Sequence, residues 1–329
     1  MSNRESIVIT GGTGFIGSHL TELMVKEGYK VTVFDRYNPN NDWGWLEQSE
    51  CKNDCNIILG DIRDYDSVHK ALAGCDAALH LAALIGIPYS YISPLAYIRT
   101  NIEGTYNVLE AAKAYDLDQV LITSTSEVYG SAQYSPIDES HPLVGQSPYS
   151  ATKISADQLT ISYWRSFNLP VKIVRPFNTY GPRQSARAII PTIISQLLSG
   201  KEEISLGNLS PTRDLTFVKD TCAGFHEIYM GTSFFGGATN IGMNNQISIG
   251  DLASLIADLM GKNISITHSS QRARGIQTEV DQLICDNSRL LTASMWRPEY
   301  SLTNGLQETI DWINKGENLS RYKEERYNV

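Results

Sequence analysis

The sequence predicts an α/β protein in which a doubly wound parallel sheet carries a smaller C-terminal lobe. Two observations support this fold class. A glycine-rich turn joins the first strand to the first helix, and short β-branched runs then alternate with helical runs as far as Arg175. Such alternation is typical of a parallel sheet with helices on both faces. Because the alternation ends there, we assign residues 1–177 to the first domain and residues 178–329 mainly to the lobe.

The first strand and helix enclose the glycine-rich turn. Residues 7–10 are β-branched, the pattern Gly11-x-x-Gly14-x-x-Gly17 follows, and apolar residues then recur at helical spacing. The first glycine permits a tight turn, the second lets a pyrophosphate approach the backbone, and the third lets the helix pack closely on the strand. The turn therefore predicts a Rossmann-type dinucleotide site. Its candidate residues are Gly11, Gly14, Phe15, Ile16 and Gly17.

The second strand, over residues 30–34, ends at the position that selects between the two nicotinamide cofactors. Asp35 stands there, and its carboxylate binds ribose hydroxyls but repels a 2′-phosphate. Arg36 follows it, and a guanidinium can accept that phosphate instead. We therefore expect NAD, with NADP as the less favoured alternative.

Three further strands are predicted over residues 56–59, 75–83 and 119–123, with helical stretches over 65–72 and 94–115. In open α/β folds, ligands bind at the carboxyl ends of the parallel strands. The residues at the first two of these strand ends are therefore candidates for the cofactor site: Asp61, Ile62, Leu81, Ala82 and Ala83. His80, within an apolar strand, is expected to be a core residue.

The strand over 119–123 delivers polar residues that suit proton transfer, namely Thr125, Ser126 and Glu127. A second group comes from a helix that begins at Ser147-Pro148, where a capping serine and a first-turn proline stand together. Tyr149 and Lys153 then lie one turn apart on the same face. An ammonium and a nicotinamide cation beside the phenol favour phenolate, which takes a proton from a carbinol as hydride leaves.

The lobe is predicted to contain helices over residues 188–198, 249–260 and 302–313, with the substrate between it and the sheet.

The composition and charge of the whole chain limit the partners that it can bind. The chain has 329 residues, 42% of them hydrophobic, and a net charge of −9. An acidic chain without a basic run is not expected to bind nucleic acid. With no membrane-length apolar run and a polar start, we expect a cytoplasmic protein without membrane contact. The five scattered cysteines and six histidines predict free thiols and no metal site.

The glycine pattern, Asp35, Asp61, the segment Ser124-Thr-Ser-Glu-Val-Tyr-Gly130 and Tyr149-x-x-x-Lys153 together resemble the extended short-chain dehydrogenase/reductases that act on nucleotide sugars. The segments 175–182 and 212–220 are also similar to this family. The resemblance implies that the lobe binds a nucleotide sugar and that the helices at 94–115 and 149–167 form a homodimer. It also implies three residues that bind the diphosphate: Asn178, Arg213 and Arg274.

Segments 41–45, 80–90 and 181–187 resemble a narrower branch, the NAD-dependent UDP-N-acetylglucosamine 4,6-dehydratases of legionaminic and pseudaminic acid pathways. On spacing alone, Trp43 and Trp45 are equally well explained as packing residues. The branch implies oxidation at carbon 4, in which Tyr149 takes the hydroxyl proton while hydride passes to NAD. Loss of the carbon 5 proton to Glu127 and elimination of the carbon 6 hydroxyl follow. Tightly bound NAD would then be recycled.

Ser126 leaves the reaction open, because glucose-type dehydratases carry an aspartic acid there that protonates the departing hydroxyl, and serine is a far weaker acid. Glu127, a water or a tyrosine could supply that proton. Alternatively, the enzyme reduces a 5,6-ene sugar with inversion at carbon 5, or it decarboxylates UDP-glucuronate. A non-catalytic nucleotide-binding scaffold is the remaining alternative.

Overall fold

The computed structural model describes residues 5–40, 42–269 and 280–322. A seven-stranded sheet forms the centre of the molecule. Its strands are β1 Ser6–Thr10, β2 Lys30–Arg36, β3 Asn56–Gly60, β4 Ala77–His80, β5 Gln119–Thr123, β6 Val171–Pro176 and β11 Ala238–Ile241. They lie in the order β11-β6-β5-β4-β1-β2-β3, and every pair is parallel. The predicted fold class is therefore confirmed.

Helices cover both faces of this sheet. On one face α1 Phe15–Lys26 packs against α8 Val218–Met230, and on the other α5 Gly104–Ala114 lies between α2 Tyr65–Leu72 and α6 Pro148–Phe167. The helical stretch predicted over 94–115 divides into α4 Pro94–Tyr97, a π-helical turn Ile98–Glu103 and α5, and α3 Ile87–Ile92 precedes it. Strands β4 and β6 are buried along their whole length, as expected for inner strands of a parallel sheet that is covered on both faces.

The lobe is built from short strands and apolar helices. The two-stranded sheets pair β7 Asn178–Tyr180 with β10 Leu215–Phe217, and β8 Glu203–Leu206 with β13 Ser265–His268. A three-stranded sheet contains β9 Thr212–Arg213, β12 Ile247–Ser248 and β14 Gln282–Leu283. The remaining helices are α7 Ile189–Leu198, α9 Ile249–Leu259, α10 Ser288–Ala293, α11 Leu302–Ile313 and α12 Gly316–Leu319. One apolar core cluster continues from the sheet through α8 into α7, α9 and α11.

The chain crosses between sheet and lobe more than once. After β7 it builds part of the lobe, and then α8 and β11 return to the central sheet, where β11 pairs with β6. The domain boundary at residue 177 therefore stays a prediction, since the central sheet contains residues from both sides of it. Among the described residues, no helix is both long and apolar enough to cross a membrane.

Candidate active site

The turn after β5 presents the first group of candidate catalytic residues. Thr125 caps a 3₁₀ turn, Ser126–Val128, and its hydroxyl accepts the Glu127 N–H at 3.3 Å. Thr125 and Glu127 are partly exposed, whereas Ser126 is buried. The threonine and the glutamate are therefore the side chains of this turn that are accessible at the carboxyl edge of the sheet.

Helix α6 presents the second group, and it begins where the sequence predicts. Ser147 forms a reciprocal capping box with Ser150, and Pro148 occupies the first turn. Tyr149 and Lys153 are both buried. Thr125 lies close enough to the Tyr149 phenol to lower its pKa, and the charge of Glu127 raises the pKa of the same phenol. The structure thus brings together the threonine, glutamate, tyrosine and lysine.

Burial is the main cause of the pKa shifts of Tyr149 and Lys153. It raises the pKa of Tyr149, and the Thr125 side chain opposes it only in part. It lowers the pKa of Lys153 to about 8, although the Asp157 carboxylate acts in the opposite direction. The Lys153 ammonium donates to the Thr123 carbonyl oxygen at 2.6 Å. These side chains alone therefore do not produce the expected phenolate, because burial outweighs the groups that favour it.

A buried ion pair lies behind the lysine, and sequence reasoning missed it. Arg175 Nη2 lies 2.9 Å from Asp157 Oδ2, with 6% and 1% of the two side chains exposed. The Ser124 hydroxyl donates to the same carboxylate oxygen at 2.9 Å, and Arg175 Nη1 donates to the Tyr129 hydroxyl at 3.0 Å. Asp157 follows Lys153 by one helical turn, so its spacing was the available signal.

The glycine turn has the close packing that the motif predicts. Gly11 has a φ of +73°, and a Cβ atom there would lie 2.8 Å from the Ala82 nitrogen. A Cβ atom on Gly17 would lie 2.1 Å from the Gly11 carbonyl oxygen. Leu81 and Ala82 therefore lie against the turn, and Ala83 follows them at the strand end. The turn thus fits a dinucleotide, while the cofactor roles of its residues remain predictions.

The two acidic residues of the predicted cofactor site have different hydrogen-bond partners. The Asp35 carboxylate accepts from the Thr13 N–H at 2.9 Å and the Thr13 hydroxyl at 2.5 Å, which fixes it beside the glycine turn. Asp61 instead pairs with Arg63, at 2.5 Å, and that hydrogen bond lowers the pKa of Asp61. A ligand at Asp61 would compete with this arginine. The neighbouring candidates lie where the strands end: Arg36 is exposed and Ile62 is buried.

His80 is a core residue, as the sequence predicts. Its Nδ1 lies 2.7 Å from the Thr10 hydroxyl and its Nε2 lies 3.2 Å from the Thr105 hydroxyl. Burial lowers the pKa of His80 to about 3, so the ring is neutral. Both ring nitrogens have partners, and the histidine needs no catalytic role.

Two of the three predicted diphosphate residues lie close together in the lobe. Asn178 begins β7, which pairs with β10 two residues beyond Arg213. The Asn178 side-chain amide nitrogen is buried and has no hydrogen-bond partner among the described residues, so it can donate to a ligand. Arg213 is 9% exposed and donates to the Thr212 carbonyl oxygen at 2.8 Å, and Arg274 lies outside the described residues.

The segments that resemble the narrower branch occupy two places. Gly86 lies beside the Arg187 guanidinium, and the Tyr97 hydroxyl donates to the Gly86 carbonyl oxygen at 2.5 Å. The Tyr97 ring contacts that of Tyr149 edge to face at 6.2 Å, so segments 80–90 and 181–187 meet near Tyr149.

The tryptophan segment lies elsewhere, although Asn41 itself is outside the described residues. Trp45 packs edge to face on Trp312 at 5.4 Å, and the Arg321 guanidinium lies 4.6 Å from its ring centre. Trp43 packs against the apolar core cluster. The packing interpretation of both tryptophans therefore agrees with the structure.

Comparison with known proteins agrees with this geometry. A family model described as GDP-mannose 4,6 dehydratase matches residues 8–309. A UDP-N-acetyl-alpha-D-glucosaminuronate decarboxylase of Bacillus cytotoxicus is 32% identical over 326 residues, which cover 96% of this chain and 99% of that relative.

Two solved structures illustrate the range of activities. The dTDP-glucose 4,6-dehydratase of Streptomyces venezuelae, with NAD and TYD bound, has a TM-score of 0.86 and 27% identity, covering 95% of this chain and 98% of that one. A UDP-N-acetylglucosamine 4-epimerase of Methanobrevibacter ruminantium M1, in complex with UDP-N-acetylmuramic acid, has a TM-score of 0.85 and 29% identity, covering 94% and 98%. The chain therefore belongs to the GDP-mannose 4,6-dehydratase family and is an enzyme among the NAD-dependent nucleotide-sugar dehydratases, epimerases and decarboxylases.

Proposed function

We propose that this enzyme is a 4,6-dehydratase of UDP-N-acetylglucosamine. The observation that carries the proposal is the placement of Glu127 beside Tyr149, because a 4-epimerase needs only the tyrosine, whereas chemistry at carbon 5 needs a base as well. Two of the relatives described above act on UDP-linked N-acetylated sugars according to their names, which supports that substrate class.

Oxidation at carbon 4 is assigned to the tyrosine and its neighbours. Tyr149 takes the proton of the carbon 4 hydroxyl, Thr125 hydrogen bonds at the same oxygen, and Lys153, one helical turn after Tyr149, supplies positive charge. The pKa of Lys153, about 8, leaves the ammonium charged at neutral pH. With NAD bound to accept the hydride of carbon 4, these residues would give a 4-keto sugar whose carbon 5 proton is acidic.

Glu127 is the base for that proton. It is partly exposed at the sheet edge, and its charge acts on Tyr149, so it lies within the same site. Removal of the carbon 5 proton allows the carbon 6 hydroxyl to leave. Ser126 is buried and cannot supply the acid, so we assign the proton of the departing hydroxyl to Glu127 itself, through a syn elimination.

The cofactor we propose is NAD, held by the glycine turn and by Asp35, with Lys153 at the ribose. Asp35 is fixed by two hydrogen bonds from Thr13, and its negative charge disfavours a 2′-phosphate. When bound, NAD supplies reversible hydride transfer, and a 4,6-dehydration leaves it unchanged at the end of each turnover. We therefore expect tight retention, with Asn178, Arg213 and Arg274 holding the sugar diphosphate.

The test is a product analysis in deuterated water with UDP-N-acetylglucosamine and, in parallel, its GDP-linked counterpart. Loss of water with deuterium at carbon 5 supports dehydration, and the preferred nucleotide is read from the two rates. Unchanged substrate in both arms contradicts the proposal and directs the next trial to a 5,6-ene sugar. Glu127→Gln is expected to permit cofactor reduction but stop product formation, while exposed Glu50→Gln serves as a control with normal turnover.

A second candidate activity is decarboxylation of a UDP-N-acetylated uronic acid. The Bacillus cytotoxicus relative favours it, and so does Ser126, since loss of carbon dioxide needs no acid for a departing hydroxyl. Release of carbon dioxide from UDP-N-acetylglucosaminuronate, without dehydration of UDP-N-acetylglucosamine, would establish this candidate in place of the first. UDP-glucuronate belongs in the same assay as a substrate without the N-acetyl group.

The enzyme is also proposed to be a homodimer, through the helices from α3 to α6. Apolar side chains are exposed along this surface, including Ile92 at 64% and Leu95 at 55%. Ile98, Tyr106 and Phe167 extend it, and large exposed apolar patches mark interaction sites. Sedimentation of Leu95→Asp is expected to show a monomer, and an unchanged dimer would exclude this surface.

A further inference from the structure

Two free cysteines lie on one tight turn that follows the Trp45 loop. Cys51 belongs to the 3₁₀ turn Glu50–Asn53, and the chain bends back so that the Asp54 N–H donates to the Cys51 carbonyl oxygen at 2.9 Å. The bend brings the Cys55 sulfur to 3.3 Å from the same oxygen. Both cysteines are only partly buried. The two thiols are therefore neighbours and accessible to small reagents.

The surroundings shift the pKa values of the two thiols in opposite directions. The Cys55 thiol is the main group that lowers the pKa of Cys51, to about 7, and the Ser49 hydroxyl, 3.2 Å from the Cys51 sulfur, acts in the same direction. Burial and the carboxylates of Glu22 and Asp54 oppose this shift. The hydrogen bond with Cys51 raises the pKa of Cys55, and burial adds to the effect. Cys51 is thus the nucleophile, since a thiolate reacts and a thiol does not.

The remaining three cysteines have no such arrangement. Cys222 and Cys285 are buried, and burial raises the pKa of both. Burial also raises the pKa of Cys75, to about 11, and its thiol donates to the Ala71 carbonyl oxygen at 3.8 Å. All five cysteines fall within the described residues and all are free. Reactivity is therefore expected at Cys51 first.

This turn is connected to the predicted cofactor site. Lys52 Nζ donates to the Glu47 carbonyl oxygen at 3.3 Å, which ties the turn to the neighbouring 3₁₀ helix Gly44–Gln48. In that helix the Trp45 N–H donates to the Thr13 carbonyl oxygen at 3.0 Å. Thr13 donates to the Asp35 carboxylate, so three contacts connect the cysteine turn to the predicted ribose-binding residue.

We propose that Cys51 and Cys55 form a redox-active dithiol that hydrogen peroxide oxidises to a disulfide. The Cys51 thiolate attacks one peroxide oxygen, the O–O bond breaks, and the departing hydroxide takes up a proton to form water. The Cys55 sulfur then attacks the sulfur of the Cys51 sulfenic acid, the S–O bond breaks, and the Cys55 proton leaves with the hydroxide as a second water. The two thiols together lose two electrons, which reduce the peroxide.

The test uses the full-length protein treated with hydrogen peroxide at neutral pH. The expected result is the loss of two hydrogen atoms in the intact mass, a cross-link mapped between Cys51 and Cys55 by peptide analysis, and full reversal by dithiothreitol. A protein that keeps its mass, or that is oxidised at Cys75, would overturn the proposal.

Two variants identify the order of attack. Cys55→Ser is expected to stop at a Cys51 sulfenic acid that dimedone traps, because the second thiol is missing. Cys51→Ser is expected to consume peroxide about tenfold more slowly, since a thiol with an ordinary pKa is mostly protonated at neutral pH. Cys75→Ser is the matched control and should form the cross-link at the normal rate. Dimedone labelling of Cys55 in the Cys51→Ser protein as fast as that of Cys51 in the Cys55→Ser protein would refute the assignment.

Discussion

Removal of one member of the buried Asp157–Arg175 pair should destabilise the enzyme more than removal of both. Arg175→Met leaves the Asp157 carboxylate, 1% exposed, without its cation. Loss of one partner of a buried pair costs about 3–5 kcal/mol, because the remaining charge is desolvated and unpaired. For a chain of this length that corresponds to a fall of about 4–7 °C in the midpoint of thermal unfolding.

The double variant Asp157→Leu, Arg175→Met removes both charges and should recover most of that loss, since an apolar pair of similar volume is often as stable as the ion pair. Thermal and urea unfolding of wild type, both single variants and the double variant, followed by circular dichroism, give the coupling energy. The reasoning would be refuted if the losses of unfolding free energy of the two single variants added up in the double variant. It would also be refuted if Arg175→Met lowered the free energy of unfolding by less than about 1 kcal/mol, because the pair would then already be solvated.

Three other outcomes are expected. Gly17→Ala should remove NAD from the purified protein, because its Cβ atom would lie 2.1 Å from the Gly11 carbonyl oxygen in the glycine turn. Gly316→Ala is the control and should retain NAD, since nothing lies within 4 Å of its Cβ position. The NAD released on denaturation measures both. The rate of cofactor reduction, measured by stopped flow, should fall above about pH 8 as Lys153 loses its proton. Asp157→Asn should move this fall to lower pH, since the Asp157 carboxylate raises the pKa of the lysine. A pH profile that does not move would contradict the assignment. Asn178→Leu should weaken UDP binding about 10- to 100-fold by calorimetry, through loss of one hydrogen bond to a charged group, and unchanged affinity would place the diphosphate elsewhere.

Most of the central sheet, and the position of Thr125 and Glu127 after β5, were predictable because their signals are local. Residues 119–123 and 65–72 were predicted with the bounds that β5 and α2 have, and the capping serine Ser147 with Pro148 after it located the start of the helix that carries Tyr149. The short strands of the lobe were missed, since two to four residues carry no measurable periodicity. The ion pair was missed for another reason: Asp157 and Arg175 belong to different elements, and only the packing of α6 on β6 brings them together.

Strand β11 has a consequence for how the chain is made. During synthesis β6 leaves the ribosome well before β11, with α7 and α8 between them, so one edge of the sheet stays open while that part of the chain is completed. Open parallel edges invite pairing between molecules. A fragment ending at residue 177 would keep this edge permanently exposed and would also lack α8 over one face. We therefore expect such a fragment to aggregate, since the nucleotide-binding half obtains its last strand from sequence that lies beyond much of the lobe.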